Sequence, residues 1–195
     1  MKKSFILVAA LLFTSTSAGW AGGIKKGDSI GSFMLGAGKI KGNDRKLYNT
    51  GLLTSVEYLR YRSPSLGLGG EISLHVPEGR SETNNTGLTR RNVDGQFLSL
   101  LATARLNATP SGHSTPYVAI GIGVAQHQFK ETLTPVAGGA ASERKEDFWR
   151  GTYVLRFGWD CLKHDKWTWG IDLRLQYLDK LALNAGAGLR LGWRF

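Results

Sequence analysis

The most regular alternation of apolar and polar positions in the chain covers residues 184–195. Ala185, Leu189, Leu191, Trp193 and Phe195 are among the apolar residues that occupy every second position, and Asn, Gly and Arg fill the positions between them. A period of two puts alternate side chains on opposite faces of a β-strand. The segment therefore predicts a strand with one apolar face and one polar face.

The same period recurs along the chain and predicts eight strands. Each is close to the length that a tilted transmembrane strand requires, and longer than most strands of soluble sandwiches. Polar stretches at 40–49, 77–92 and 129–147 alternate with shorter turns at 63–65, 107–115 and 161–166, and a short loop at 179–183 precedes the last strand. The predicted strands are 29–39, 50–62, 66–76, 93–106, 116–128, 148–160, 167–178 and 184–195.

Aromatic residues lie near the ends of the apolar faces. Trp149 and Trp159 bracket the sixth strand, while Trp193 and Phe195 end the eighth. Aromatic girdles at both membrane interfaces are typical of outer-membrane barrels. We therefore predict an all-β fold, an eight-stranded antiparallel up-and-down transmembrane β-barrel with a polar, filled interior. A secreted soluble sandwich or a lipocalin-like barrel is the alternative.

The first residues predict export from the cytoplasm. Lys2 and Lys3 precede a short apolar run and then small, mostly polar residues, which is the pattern of a signal peptide over 1–21. The barrel domain is predicted over 22–195. Because periplasmic turns are short in such barrels, the shorter turns and Phe195 are predicted to be periplasmic and the four other connections extracellular.

Composition excludes some function classes. The net charge of +10 is compatible with nucleic acid or anionic lipid as a partner, but no nucleic-acid-binding motif is present, so no nucleic-acid partner is predicted. Cys161 is the single cysteine, which rules out an intramolecular disulfide.

Charged residues on the predicted polar faces raise the question of chemistry inside the barrel. A hairpin centred near Pro64 sets Glu57 opposite Glu71, and the last hairpin sets Asp172 opposite Arg190. Because unpaired charge in a narrow interior is very unfavourable, we predict a structural ion-pair network and no catalytic, cofactor or metal site. Its predicted members are Glu57, Glu71, Arg105, Arg156, Asp172, Arg174 and Arg190.

Two histidines, His75 and His127, lie on interior faces near the predicted outer rim. They could form part of a metal site, but no third ligand is evident, and solvated residues at the barrel mouth are the preferred interpretation. The sequence contains no G-x-S-x-G, P-loop or H-E-x-x-H motif.

The segment 116–124, Pro-Tyr-Val-Ala-Ile-Gly-Ile-Gly-Val, and the closing segment 185–195 resemble the family of small eight-stranded outer-membrane proteins, the OmpX/opacity-like barrels. The resemblance implies a bacterial outer-membrane location and a role in adhesion, serum resistance, envelope stability or small-solute interaction. It also implies that the barrel-assembly machinery reads Phe195 as an assembly signal.

The strand at 116–124 is also similar to one in the PagL-type lipid A 3-O-deacylases. That family uses a His-x-Ser pair, and the aligned stretch here, 176–178, is Gln-Tyr-Leu. Since the base and the nucleophile are both missing, we predict no deacylase activity. A palmitoyl-transferase type of barrel needs an apolar interior, whereas this interior is predicted to be charged.

The predicted function is a non-enzymatic structural or surface-interaction role in the outer membrane, in contact with outer-membrane lipid and lipopolysaccharide and with a surface partner that the sequence does not identify. A lipid A-modifying enzyme and a narrow channel are the alternatives. Loop cations are predicted to lie near lipopolysaccharide phosphates. They are Lys39, Lys41, Arg45, Lys46, Arg90 and Arg91.

Overall fold

The computed structural model describes residues 24–42, 49–83, 89–108, 114–163, 166–178 and 182–195. The predicted signal peptide therefore lies outside the described residues. The described residues form nine strands and no helix. The strands are β1 (Ser29–Gly42), β2 (Gly51–Ser63), β3 (Leu66–Val76), β4 (Arg80–Thr83), β5 (Thr89–Asn107), β6 (Thr115–Pro135), β7 (Ser142–Lys163), β8 (Trp167–Leu178) and β9 (Ala182–Arg194).

Eight of these strands close into an antiparallel ring. The order is β3-β2-β1-β9-β8-β7-β6-β5, and β5 pairs with β3 to complete the circle. The first and last strands of the ring meet over a long ladder that runs from Ile30 opposite Arg194 to Gly42 opposite Ala182. The prediction of an eight-stranded up-and-down barrel is confirmed. The ninth strand, β4, is short and adds to the outer end of β5.

The predicted loops at 77–92 and 129–147 are wrong in extent. β5, β6 and β7 continue beyond the apolar part of the barrel and form a hairpin extension, in which β6 and β7 stay paired out to Leu133 opposite Ser142. The six-residue loop that follows, 136–141, includes Gly138 and Gly139, both with positive φ. In this extension the two faces of each strand are largely polar, so hydrophobic alternation disappears although the backbone ladder continues.

The outside of the ring is an apolar belt bounded by aromatic residues. Ile120 and Ile122 are 60% and 68% exposed, and aliphatic side chains on the other strands face outward at the same height. Tyr153 and Tyr177 stack outside β7 and β8 with ring centroids 5.0 Å apart, and Trp167 packs edge-on against Trp193 at the opposite end. Such a belt is stable in lipid and unstable in water. Among the described residues, no helix is long and apolar enough to span a bilayer.

Apolar clusters close the barrel interior at both ends. Ile24, Ile30, Leu59 and Tyr61 pack together at the end that holds the 64–65 turn, which we assign to the periplasm. At the other end the second cluster consists of Ile40, Val93, Phe97, Ala125 and Leu178, with Phe129 packed against it. The buried charged side chains lie between these two clusters.

Candidate functional site

Eight charged side chains meet in the middle of the barrel interior, between the two apolar clusters. All come from inward-facing positions of the strands, and none is more than 3% exposed. The four positive and four negative groups balance, as a dry interior requires. They are Arg105, Arg156, Arg174, Arg190, Glu57, Glu71, Asp160 and Asp172.

The first half of this network is built around the two facing glutamates. Glu57 and Glu71 are direct cross-strand partners in β2 and β3, where two bare carboxylates would repel each other. Arg156 binds both, with its Nη2 on Glu57 and its Nη1 3.0 Å from Oε2 of Glu71. Arg174 binds the other oxygen of Glu71. Arg156 is therefore the cation that allows the glutamates to lie side by side.

The second half continues from Glu57 toward the periplasmic end. Nη2 of Arg190 lies 3.3 Å from Oε2 of Glu57, and its Nη1 lies 2.9 Å from Oδ1 of Asp160. Arg105 binds the remaining oxygen of Asp160. Positive and negative groups thus alternate in one continuous chain from Arg105 to Arg174.

The predicted pairing of Asp172 with Arg190 is wrong. Asp172 lies opposite Gly188, and Arg190 opposite Gly170, because the β8–β9 hairpin is centred one residue earlier than the sequence suggested. Asp172 instead accepts a hydrogen bond of 2.6 Å from the Tyr117 hydroxyl and lies 3.7 Å from Nη1 of Arg156.

Asp160 was not among the predicted members. Arg156 lies four residues earlier on the same polar face of β7. This even spacing could have identified Asp160 as a further member of the ion-pair network.

Neutral side chains hold the arginines in place. Nη2 of Arg174 donates to the Ser73 hydroxyl at 2.8 Å, and Arg105 donates through Nε to Asn107 at 2.8 Å. The Arg105 guanidinium also lies 3.5 Å from the centroid of the Tyr117 ring. The Tyr117 ring fills the space over Gly158, where a Cβ atom would come within 2.1 Å of its Cζ. The charges, the ring and the glycine fit as one packed unit.

The charged groups of this arrangement are already bound to one another. Each carboxylate is bound by an arginine or tyrosine, and arginine does not act as a base near neutral pH. Ser73 and His75 share a strand face, but the serine is bound by Arg174, while His75 contacts the Gly38 carbonyl and Asn184. We see no nucleophile paired with a base among the described residues of the interior.

The two histidines near the rim are separated by an aromatic ring. Phe97 stacks on His127 with centroids 4.2 Å apart and on His75 at 6.0 Å. Phe148 meets His127 edge-on at 4.9 Å. In the described part of the chain, no group of three or more metal-binding side chains comes together. His75 and His127 therefore take part in the closure of the outer end.

The cations predicted to contact lipopolysaccharide fall in different places. Lys39 is exposed on the lipid-facing side of β1, and Arg90 donates to the Ser81 hydroxyl. Arg91 faces the inner side of the extension and pairs with Glu131. Arg45 and Lys46 lie outside the described residues, as does the side chain of Lys41.

Phe195 lies on the outer surface at the periplasmic end. It is 74% exposed, its amide donates to the Ser29 carbonyl at 2.9 Å, and its ring covers Gly31. The residue is accessible at the seam between β9 and β1.

Comparison with known proteins identifies the fold. No protein-family model and no curated protein matches the chain. Among solved structures it is similar to Ail, the attachment invasion locus protein of Yersinia pestis, with 14% identity, a TM-score of 0.55, and coverage of 87% of this chain and 99% of Ail. It is also similar to Neisserial surface protein A, with 12% identity, a TM-score of 0.52, and coverage of 86% and 95%.

The N-terminal β-barrel domain of Pseudomonas aeruginosa OprF gives a third match, with 15% identity, a TM-score of 0.50, and coverage of 88% of this chain and 98% of that domain. At these identities the comparison establishes the fold. Together with the closed ring and its apolar belt, it shows that this chain has the fold of the small eight-stranded barrels of the bacterial outer membrane.

Proposed function

We propose that the protein is a non-enzymatic surface barrel of the outer membrane that contacts anionic sugars and lipopolysaccharide from its extracellular end. The observation that carries this proposal is the sealed interior. With the middle filled by ion-paired side chains and an apolar cluster packed near each end, the exterior is the surface left for interaction.

Two observations disfavour the alternatives. A channel needs a continuous wet path and a palmitoyl-transferase type of barrel needs an apolar interior, whereas a PagL-type deacylase needs the His-x-Ser pair that residues 176–178 lack. Here the interior carries an ion-pair chain that includes Arg156 and Glu57. Steady conductance in planar bilayers, or release of an acyl chain from lipid A by the purified protein, would contradict the proposal.

The class of partner follows from the extracellular charges and from one similar protein. Ail, which shares this fold at 17% identity and a TM-score of 0.54, has been crystallised in complex with the heparin analogue sucrose octasulfate. On this chain, the lysines at 130 and 145 both contact Glu143 and are partly neutralised. Lys39 is exposed at the outer end of the apolar belt, where lipopolysaccharide phosphates are expected.

Exchanging Lys39 and Lys41 of β1, together with Arg45 and Lys46 that follow in the sequence, for glutamine tests the proposal. We expect the variant with Lys39, Lys41, Arg45 and Lys46 all replaced by Gln to bind purified lipopolysaccharide at least tenfold more weakly, since each cation near an anionic surface contributes about fivefold. Binding is measured by a titration at fixed ionic strength, because the effect is screened by salt.

The matched control exchanges Lys130 and Lys145, which already have an acidic partner, and should change the affinity little. Unchanged lipopolysaccharide affinity in the fourfold variant would rule out this contact. Titration of the same two variants with sucrose octasulfate tells whether a sulfated sugar uses the same cations.

The assembly role of Phe195 stays a prediction that deletion can test. Loss of this exposed aromatic side chain should lower the amount of folded protein in the outer membrane without weakening lipopolysaccharide binding per folded molecule. Quantifying the heat-modifiable form in isolated membranes measures this effect. Normal outer-membrane levels of the truncated chain would show that Phe195 has no such role.

A further inference from the structure

The periplasmic end of the barrel carries a cluster of exposed cations that the proposed function does not use. Lys25 and Lys26 precede β1, and Arg60 and Arg62 end β2. All four side chains are exposed. We call these four residues the periplasmic rim cluster.

Backbone pairing holds the two halves of the rim cluster together. The Gly27 amide donates to the Tyr61 carbonyl at 2.9 Å, and the Tyr61 amide donates to the Asp28 carbonyl at 2.8 Å. The N-terminal segment is further anchored by Ile24, which is buried in the periplasmic apolar cluster. The lysines at 25 and 26 are therefore held beside the end of β2.

Within the described residues, few acidic side chains lie near the rim cluster. Among the described residues, Asp28 is the one acidic side chain at the periplasmic rim of the barrel. Its Oδ2 lies 3.6 Å from Nη1 of Arg194. It also accepts a hydrogen bond from the Lys25 amide. No ion pair involves the side chains of the rim cluster within the described ranges. Four positive charges therefore face the surroundings at one edge of the barrel.

The position of the two arginines beside the apolar belt favours a lipid headgroup as their partner. Arg60 and Arg62 lie on the same outward face of β2 as Val56 and Tyr58, which belong to the apolar belt. Long basic side chains at this level extend along the apolar surface and place their charge in the headgroup region. The two arginines are thus presented to the lipid leaflet that borders the periplasm.

We propose that the periplasmic rim cluster is a binding site for the headgroup of an anionic glycerophospholipid. The phosphate would be held by Arg60 and Arg62 from the membrane side and by the two lysines from the N-terminal segment. Guanidinium groups suit phosphate because they can donate two hydrogen bonds in parallel. The bound headgroup would then contact both the segment before β1 and the end of β2 at the membrane surface.

Native mass spectrometry of the barrel released from detergent micelles tests this site. Phosphatidylglycerol and phosphatidylcholine are titrated separately, and the apparent dissociation constant of the first bound lipid is measured. We expect preference for phosphatidylglycerol, and an affinity for it about tenfold or more weaker in R60Q/R62Q, with phosphatidylcholine binding unchanged.

Two further variants test whether phosphatidylglycerol binding depends on the rim cluster. K25Q/K26Q changes only the segment before β1, leaves the ring of strands intact, and should also weaken phosphatidylglycerol binding. K130Q/K145Q removes two cations at the opposite end that already pair with Glu143, and it should leave phosphatidylglycerol binding unchanged. Equal affinity for the two lipids in the wild-type protein, or unchanged phosphatidylglycerol affinity in both rim variants, would overturn the proposal. Capture of an anionic peptidoglycan fragment by the rim cluster with no lipid preference would also overturn it.

Discussion

Replacing Arg156 by methionine is expected to lower the free energy of unfolding by about 3–5 kcal/mol. Arg156 is 2% exposed and binds Glu57 and Glu71, which face each other across β2 and β3. Methionine keeps most of the volume but removes the charge, so the facing carboxylates would repel each other away from water. The loss can be measured by urea unfolding of the barrel from lipid vesicles.

Arg150 provides the control on the same strand. It is exposed, lies six residues closer to the extracellular end, and has its guanidinium carbon 5.3 Å from the centroid of the Phe148 ring. Arg150→Met should change the free energy of unfolding by less than about 0.5 kcal/mol. A similar effect in both variants would mean that the substitution acts through something other than the ion network.

A second experiment separates lost packing from unpaired charge. Adding Glu57→Gln to Arg156→Met restores equal numbers of buried positive and negative charges, because Arg190 keeps Asp160 and Glu71 keeps Arg174, and it should restore part of the lost stability. No recovery would indicate that the guanidinium acts mainly by filling space. A loss below about 1 kcal/mol for Arg156→Met alone would contradict the network as a source of stability.

The sequence predicted the ring of strands because each membrane-spanning segment has a lipid face and an interior face. The alternation from Leu66 to Val76 reproduces the bounds of β3, and the segment Trp167–Leu178 reproduces β8. Where the strands leave the membrane, both faces meet water, and residues such as Gln126, Gln128 and Lys130 carry no periodic signal. The hairpin extension depends on backbone pairing, which a single sequence does not reveal.

The interior was predictable in composition but only partly in pairing. The facing position of Glu57 and Glu71 follows from a turn centred at Pro64, a local feature. The partner of Arg190 depends on a hairpin whose centre differs by one residue, and on contacts across the barrel between strands far apart in sequence. Such contacts depend on the closure of the ring and cannot be obtained from spacing within one segment.

The placement of the barrel in a bilayer gives the second prediction, which concerns Ile122. Across β6, Pro116 pairs with Trp159 and Gln126 with Trp149, so the two tryptophans mark the ends of the belt and Ile122 lies near its middle. Ten residues of tilted strand cover about 25 Å, the height of an outer-membrane apolar band. Ile122→Arg should therefore lower the free energy of unfolding in vesicles by about 2–4 kcal/mol.

Gln126→Arg, on the same face of the same strand, tests whether depth is the cause. At the belt's edge the charge reaches the headgroups and water, so the substitution should cost about 0–1 kcal/mol. In a soluble barrel with a wet exterior, arginine at 122 and at 126 would have similarly small effects. A large difference between the two variants therefore requires a surrounding bilayer, and equal small effects would contradict the transmembrane placement of the whole ring.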